Sequence, residues 1–200
     1  MPKIEAPTVA EHRAMRRRAV VDNAVELLVS EGPTALTPAA VAKMTGLART
    51  SVYQYFPTSG ELLGAAIEQL FVASQADLDA ALSRAGQDVD ERIAAYVRAT
   101  LETARRGHSP TRLVGVELPA ACRVRLRELH DEVARPLREI VAASGAEDVA
   151  TTTALANGVI AGAVALVEHG ADLERTTRET LQFLQRALRD GVVGHPARPS

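Results

Sequence analysis

The chain has 200 residues, a formal net charge of −2, 46% apolar content and six aromatic side chains. That length suits one or two domains with a sizeable core, and plentiful alanine with few aromatics favours helices over sheets. One cysteine, Cys122, excludes an internal disulfide framework and a clustered-cysteine zinc site. No basic start leads into an apolar core as in a signal peptide. The longest apolar run, Leu155 to Val167, contains Asn157 and is too short to span a membrane. A cytoplasmic protein with no membrane partner is therefore expected.

In chain order, residues 1–12 read as a polar, unstructured leader with Pro2 and Pro7, so order is expected from about residue 13. Arg13, Arg16, Arg17 and Arg18 then open a helix that runs to about Ser30. Val21, Ala24, Val25 and Leu28 form its apolar stripe, and Gly32-Pro33 ends it. A basic cluster can simply keep a helix in solution. Followed by the segment described next, it reads as an arm reaching towards phosphates.

Residues 37–59, TPAAVAKMTGLARTSVYQYFPTS, read as two short helices joined by a tight turn. Thr37 is an N-cap and Pro38 suits the first helical position, where its missing N–H costs nothing. Val41, Ala42 and Met44 give an apolar face, Gly46 ends the helix in the left-handed region, and Leu47 fills the corner. A second helix runs from about Arg49 to Phe56, where Pro57 stops it. This arrangement is a helix-turn-helix. With Val52 and Phe56 turned inward, Arg49, Thr50, Ser51, Tyr53, Gln54 and Tyr55 face outward without a carboxylate among them. Such a face suits phosphates and base edges. A polar helix face is ordinarily just a solvated one, but solvation requires neither the missing acid nor three of the six aromatics in one turn.

Past Thr58 a helix is expected to run to about Arg84, with Leu62, Leu63, Ala66, Ile67, Leu70, Phe71 and Ser74 along its buried side. Asp88 or Asp90 starts the next, to Arg106, carrying Ile93, Tyr96, Val97, Thr100 and Leu101. A break at Gly107-His108-Ser109-Pro110 precedes a short segment, Thr111 to Leu118, and a long helix from Pro119 to about Ala143. Pro136 is expected to kink or break that helix. Asp148 to Glu168 is apolar nearly all round, with Ala154, Gly158, Ala161, Gly162 and Ala165 making it smooth. Asp172 to Asp190 is amphipathic, with a stripe of Leu173, Thr177, Leu181, Leu184 and Leu188. Two such helices can pair with their two-fold copies as a four-helix bundle. The tail from Gly191 to Ser200, including His195, is expected to fray.

Charge is unevenly spread. Residues 1–59 carry seven basic and five acidic side chains, net +2, whereas residues 60–200 carry sixteen and twenty, net −4. The positive part coincides with the helix-turn-helix, where phosphate attraction would need it.

The segment Arg16 to Leu63 resembles the DNA-binding head of the TetR family of transcriptional regulators. The resemblance rests on Gly32, Thr37, Val41-Ala42, Thr45-Gly46-Leu47-Ala48, Val52-Tyr53-Gln54-Tyr55-Phe56, Thr58-Ser59 and Glu61-Leu62-Leu63. Two positions depart from the family pattern. Ala48 stands where a capping Ser is usual, which weakens that cap by about 1 kcal/mol. Ser59 stands in place of the usual Lys, so a phosphate contact that the family makes there is weakened or absent. The resemblance implies an all-α fold of about nine helices, a three-helix head over residues 1–58 and a helical domain over 59–190 that binds an effector and dimerises, followed by the tail 191–200. It further implies a repressor released from a palindromic operator on double-stranded DNA by a small-molecule effector, with the last two helices as the homodimer interface.

Candidate residues follow. For DNA, Arg49 is assigned to a guanine edge and Gln54 to an adenine edge, with Thr50 and Ser51 on bases or phosphates. Arg17, Thr37, Lys43, Tyr53 and Tyr55 are assigned to the backbone. For the effector, the polar or aromatic side chains to consider are Tyr96, His108, Arg112, Glu117, His130 and Asn157. For the dimer they are Ala154, Gly158, Ala161, Gly162, Ala165, Leu181, Leu184 and Leu188. No catalytic, cofactor or metal pattern is visible. The five histidines lack metal spacing, Cys122 and His130 would stand about 12 Å apart along a helix, and there is no phosphate loop or nucleophile elbow. The competing reading is a helical protein-binding module whose head-like segment contacts another protein instead of DNA.

Overall fold

The computed structural model describes residues 9–108 and 120–190, with side chains described from residue 123 to 189 in the second stretch. Among the described residues there are eight helices and no strands. They are α1 (Val9–Glu31), α2 (Pro38–Thr45), α3 (Arg49–Tyr55), α4 (Ser59–Arg84), α5 (Val89–Arg105), α6 (Ala120–Ala143), α7 (Val149–Glu168) and α8 (Leu173–Asp190). The chain folds as two compact units. One comprises residues up to Leu70 with the start of α6 as far as Leu126, and the other runs from Phe71 and again from Arg127.

In the first unit, punctuation falls where the residue types demand it. Gly32 closes α1 at φ 85°. The Thr37 hydroxyl oxygen accepts from Ala40 N–H at 3.2 Å, and Pro38 occupies the first turn of α2. Gly46 ends α2 at φ 68°, a left-handed conformation that costs a side chain with a Cβ about 1 kcal/mol or more. Thr58 and Glu61 form a reciprocal cap on α4: the Thr58 oxygen accepts from Glu61 N–H at 3.1 Å and its hydroxyl donates to Glu61 Oε1 at 3.2 Å. Val52 and Phe56 are buried, as α3's spacing requires. Two readings are corrected. α1 begins at Val9, inside the stretch expected to be unstructured. Met44 is exposed: on an eight-residue helix, Pro38, Val41 and Ala42 already supply the buried side. Val20, Leu27 and Leu36 are buried without having been foreseen, while Val25 is only half-buried.

In the second unit α5 is the centre, packed by α7 and α8. Asp88 caps it by accepting from Glu91 N–H at 3.0 Å. Leu78 and Leu82 from α4 and Leu137, Ile140 and Val141 from α6 complete the core. α6 continues unbroken through Pro136. The proline is buried beside Leu137, so core packing offsets the one backbone hydrogen bond its ring removes. The expected segment Thr111–Leu118 and the tail 191–200 lie outside the described residues.

α8 requires a further correction. Leu181, Leu184 and Leu188, expected on a dimer face, are buried in the core of their own chain. An amphipathic stripe shows that one side must be covered, and here α5 and α7 cover it. α7 itself is 20 residues long, with a mean hydropathy of 1.6 over its most apolar 18 residues. By length and composition alone that is enough to cross a membrane, a test that the core helix of a soluble protein also passes.

Candidate nucleic-acid interface

The nine side chains assigned to DNA all lie in the first unit. On α3, Arg49, Thr50 and Gln54 are exposed, and Ser51, Tyr53 and Tyr55 are half-buried beside the inward Val52 and Phe56. A seven-residue helix can turn one side to the core only because Val52 and Phe56 are one turn apart. The remaining side chains then form one continuous outer surface. Ala48 supplies no side-chain cap, and the first turn is held by backbone alone, with Ser51 N–H donating to Ala48 O at 2.9 Å.

Two cations are already placed by aromatic rings. The Arg49 guanidinium lies 5.6 Å from the Tyr53 ring centroid and donates to Tyr53 Oη at 3.2 Å. Arg17, on α1, sits 4.8 Å over the Phe56 ring, which fixes it beside the end of α3. Such contacts are worth about 0.5–1 kcal/mol at exposed positions. They limit the rotamers of long side chains and so reduce the entropy lost on binding a ligand. α1 from Val9 to Ala19 is exposed on every side, carrying Arg13, Arg16, Arg17 and Arg18 into solvent. Thr37 is exposed and spends its oxygen on the α2 cap, leaving its O–H as a donor. Lys43 is exposed in the last turn of α2. Gln69 Nε2 donates to Asp22 Oδ1 at 2.6 Å, and Arg125 donates to Glu68 Oε1 from Nε at 3.2 Å and from Nη2 at 2.9 Å. These contacts tie α1 and the start of α6 to α4, and nothing in local sequence pattern announces pairs 47 and 57 residues apart.

The residues assigned to an effector are not brought together. Arg112 and Glu117 lie outside the described residues. His108 and Asn157 are exposed. Tyr96 is buried and donates weakly to Val133 O at 3.4 Å, and burial pushes its phenol up to about 12, so it stays protonated. His130 packs edge-on against Phe71, with centroids 4.9 Å apart.

Of the residues assigned to a dimer face, Ala154, Gly158, Ala161, Gly162 and Ala165 are exposed along one side of α7. Leu155 (68% exposed) and Leu166 (58%) accompany them, and on α8 Phe183 is 60% exposed. A Cβ added at Gly158 or Gly162 would meet nothing within 4 Å. Packing among the described residues therefore does not explain either glycine. Phe183 was missed, although an aromatic off the Leu stripe in a chain with six aromatics was a signal.

Residues 20–66 match the family described as bacterial regulatory proteins, tetR family. The nucleoid occlusion factor SlmA of Haemophilus influenzae, in two strains, is 31% identical over 114 residues, which is 56% of this chain and 50% of the relative. The chain thus matches about half the length of those curated relatives. Among solved structures, a putative transcriptional regulator from Saccharomonospora viridis in complex with choline has TM-score 0.76 at 18% identity, covering 86% of this chain and 96% of that one. The regulator FadR from Bacillus subtilis in complex with stearoyl-CoA has TM-score 0.70 at 17% identity, covering 84% and 96%. At those identities the likeness concerns the fold.

Proposed function

We propose that this chain, whose residues 20–66 match the tetR family of bacterial regulatory proteins, is a DNA-binding transcriptional regulator: a cytoplasmic, homodimeric repressor released from a palindromic operator by a small-molecule effector. Residues 1–58 are the DNA-binding domain and 59–190 the effector-binding and dimerisation domain. The observation that carries this reading is the outer face of α3, where Arg49, Thr50 and Gln54 are exposed and no carboxylate is present. Arg49 and Gln54 read base edges, while Arg17, Thr37, Lys43, Tyr53 and Tyr55 hold the backbone.

The partner in the dimer is a second copy laid against α7. Exposed Leu155 and Leu166 beside a strip of Ala and Gly make an apolar face on α7. Covering such surface is worth about 25 cal/mol per Å². Glycines facing open space allow the partner's backbone close approach. Ligands differ widely between the two structural neighbours, choline in one and stearoyl-CoA in the other. A small-molecule effector is therefore proposed as a class here.

Selection from a pool of randomised duplexes tests the reading. Enrichment of an inverted repeat with half-site centres about 34 Å apart, or a multiple of that, is expected from two-fold heads in successive major grooves. Recovery of no enriched sequence at low salt would reject it.

A further inference from the structure

The first three turns of α1, Val9 to Ala19, are exposed on every side, although the same helix is packed from Val20 onward. A stretch of that length gains nothing from tertiary packing, and alone in water it would be a marginal helix. The sequence shows what its open side carries. Val20, Val21, Ala24, Leu27 and Leu28 form the buried stripe of α1. At 3.6 residues per turn the stripe continues backwards through three arginines: Arg17 stands four residues before Val21, Arg16 four before Val20 and Arg13 seven before Val20. One side of α1 is therefore apolar where the head covers it and cationic beyond. Glu11 is the one acid between Val9 and Ala19, and it shares the far side with Arg18, seven residues on. Arg13 and Arg16 have no acidic partner among the described residues. A charged helix face is ordinarily just solvated, but this one has a fixed neighbour. Arg17 is held 4.8 Å over the Phe56 ring, so the cationic stripe leads away from the end of α3, whose outer face has no carboxylate.

We infer that Arg13 and Arg16, continuing from Arg17, lie along the sugar–phosphate backbone of duplex DNA while α3 occupies the major groove. This rests on the reading of the first unit as a DNA-binding head and adds a second contact surface outside the helix-turn-helix. At 1.5 Å per residue, Val9 to Ala19 is about 16 Å long, the span of about five phosphates on one strand. Cations spaced one turn apart on a rod meet a row of evenly spaced anions, so the partner is a polyanion. No packing fixes the hydrogen-bonding direction of Arg13 or Arg16, as reading a base edge would require. The stripe therefore adds affinity and salt dependence without adding sequence preference. Arg18, on the other side of the helix, takes no part.

Anisotropy titrations of the full chain provide the test, with two labelled probes: the duplex recovered by selection and a scrambled duplex of the same length. Three variants are compared with the wild type: Arg13→Ala with Arg16→Ala, Arg13→Lys with Arg16→Lys, and Arg18→Ala. The double alanine variant should weaken both duplexes about tenfold and lower the magnitude of the log–log salt slope by about 2. Its preference between the two duplexes should stay within about twofold of the wild type, and its melting temperature should not change, because neither side chain is packed. The double lysine variant keeps both charges and should retain the wild-type slope. Arg18→Ala should change affinity by less than about threefold. An unchanged slope in the double alanine variant, a loss confined to the selected duplex, no retention with lysine, or an equal loss from Arg18→Ala would each overturn the proposal. A wild type that binds both duplexes with an unaffected double alanine variant defeats the arginine stripe alone. A wild type that binds neither duplex defeats the regulator reading and the stripe with it.

Discussion

The outer face of α3 and the outer face of α7 are both uncovered, yet water treats them oppositely. α3 shows Arg49, Thr50 and Gln54, which water solvates well, so the surface is stable alone and becomes useful only when phosphates or base edges replace that water. α7 shows Leu155, Leu166 and a strip of Ala and Gly, which gain free energy whenever anything apolar covers them. Exposure by itself therefore says little, and the chemistry of the exposed face says which kind of partner is missing. The two helices also differ inside. α3 buries Val52 and Phe56 fully, whereas α7 sends Ala156, Ile160, Ala163, Val164 and Val167 into a core shared with α5 and α8.

Substitutions can pull this contrast apart. The largest effect is expected from Leu184→Ala, because Leu184 is buried within its own chain. It should cost about 2–5 kcal/mol of stability, read by chemical denaturation, while the folded fraction remains dimeric by light scattering. Gly162→Leu should do the reverse. The added side chain meets nothing inside the chain, so helical content should persist. The wedge at a packed two-fold face should weaken association by about 1–3 kcal/mol. A folded variant that stays dimeric at the same concentration would move the interface away from α7.

On the α3 side, Arg49→Ala should lose about 1–3 kcal/mol on the selected operator if Arg49 holds a guanine through two hydrogen bonds. Measured on that operator and on one with the guanine replaced, the variant should bind both nearly alike. A variant that weakens equally on both and keeps its preference would make Arg49 a backbone contact and leave Gln54 as the reader. The smallest effect belongs to Tyr55→Phe. Losing one hydroxyl to a phosphate should cost about 1 kcal/mol and do so uniformly across sequences, since backbone contacts position without specifying.

The same contrast explains what could be read from sequence. The head was legible because its signals are local. Thr37, Pro38, Gly46 and Pro57 each act on their immediate neighbours, and the structure places the caps and breaks at those residues. The error over Met44 arose because it stands two positions past Ala42, about 160° round the helix at 3.6 residues per turn, off the side that Pro38, Val41 and Ala42 bury. In α8 the stripe of Leu181, Leu184 and Leu188 was visible, but spacing cannot tell whether a second copy or the same chain covers it. Pro136 was visible too, and only the packing around it shows why α6 continues. The pairs that tie helices together, Asp22 with Gln69 and Glu68 with Arg125, join residues distant in sequence and leave no periodic trace. Nor could the packing of Phe71 on His130 be foreseen, because the two rings meet only after α4 and α6 come together.

Whether the α3 face meets a polyanion is tested most directly by the salt dependence of binding to the selected duplex. Anisotropy titrations between about 50 and 200 mM salt give log Kd against log salt for the wild type and for a variant carrying Arg17→Ala and Lys43→Ala. Each neutralised phosphate contributes about 0.9 to that slope. The account predicts a wild-type slope of magnitude about 3 or more, reduced by about 2 in the double variant. A wild-type affinity that stays flat across the range would show an apolar protein contact in place of DNA and contradict the account.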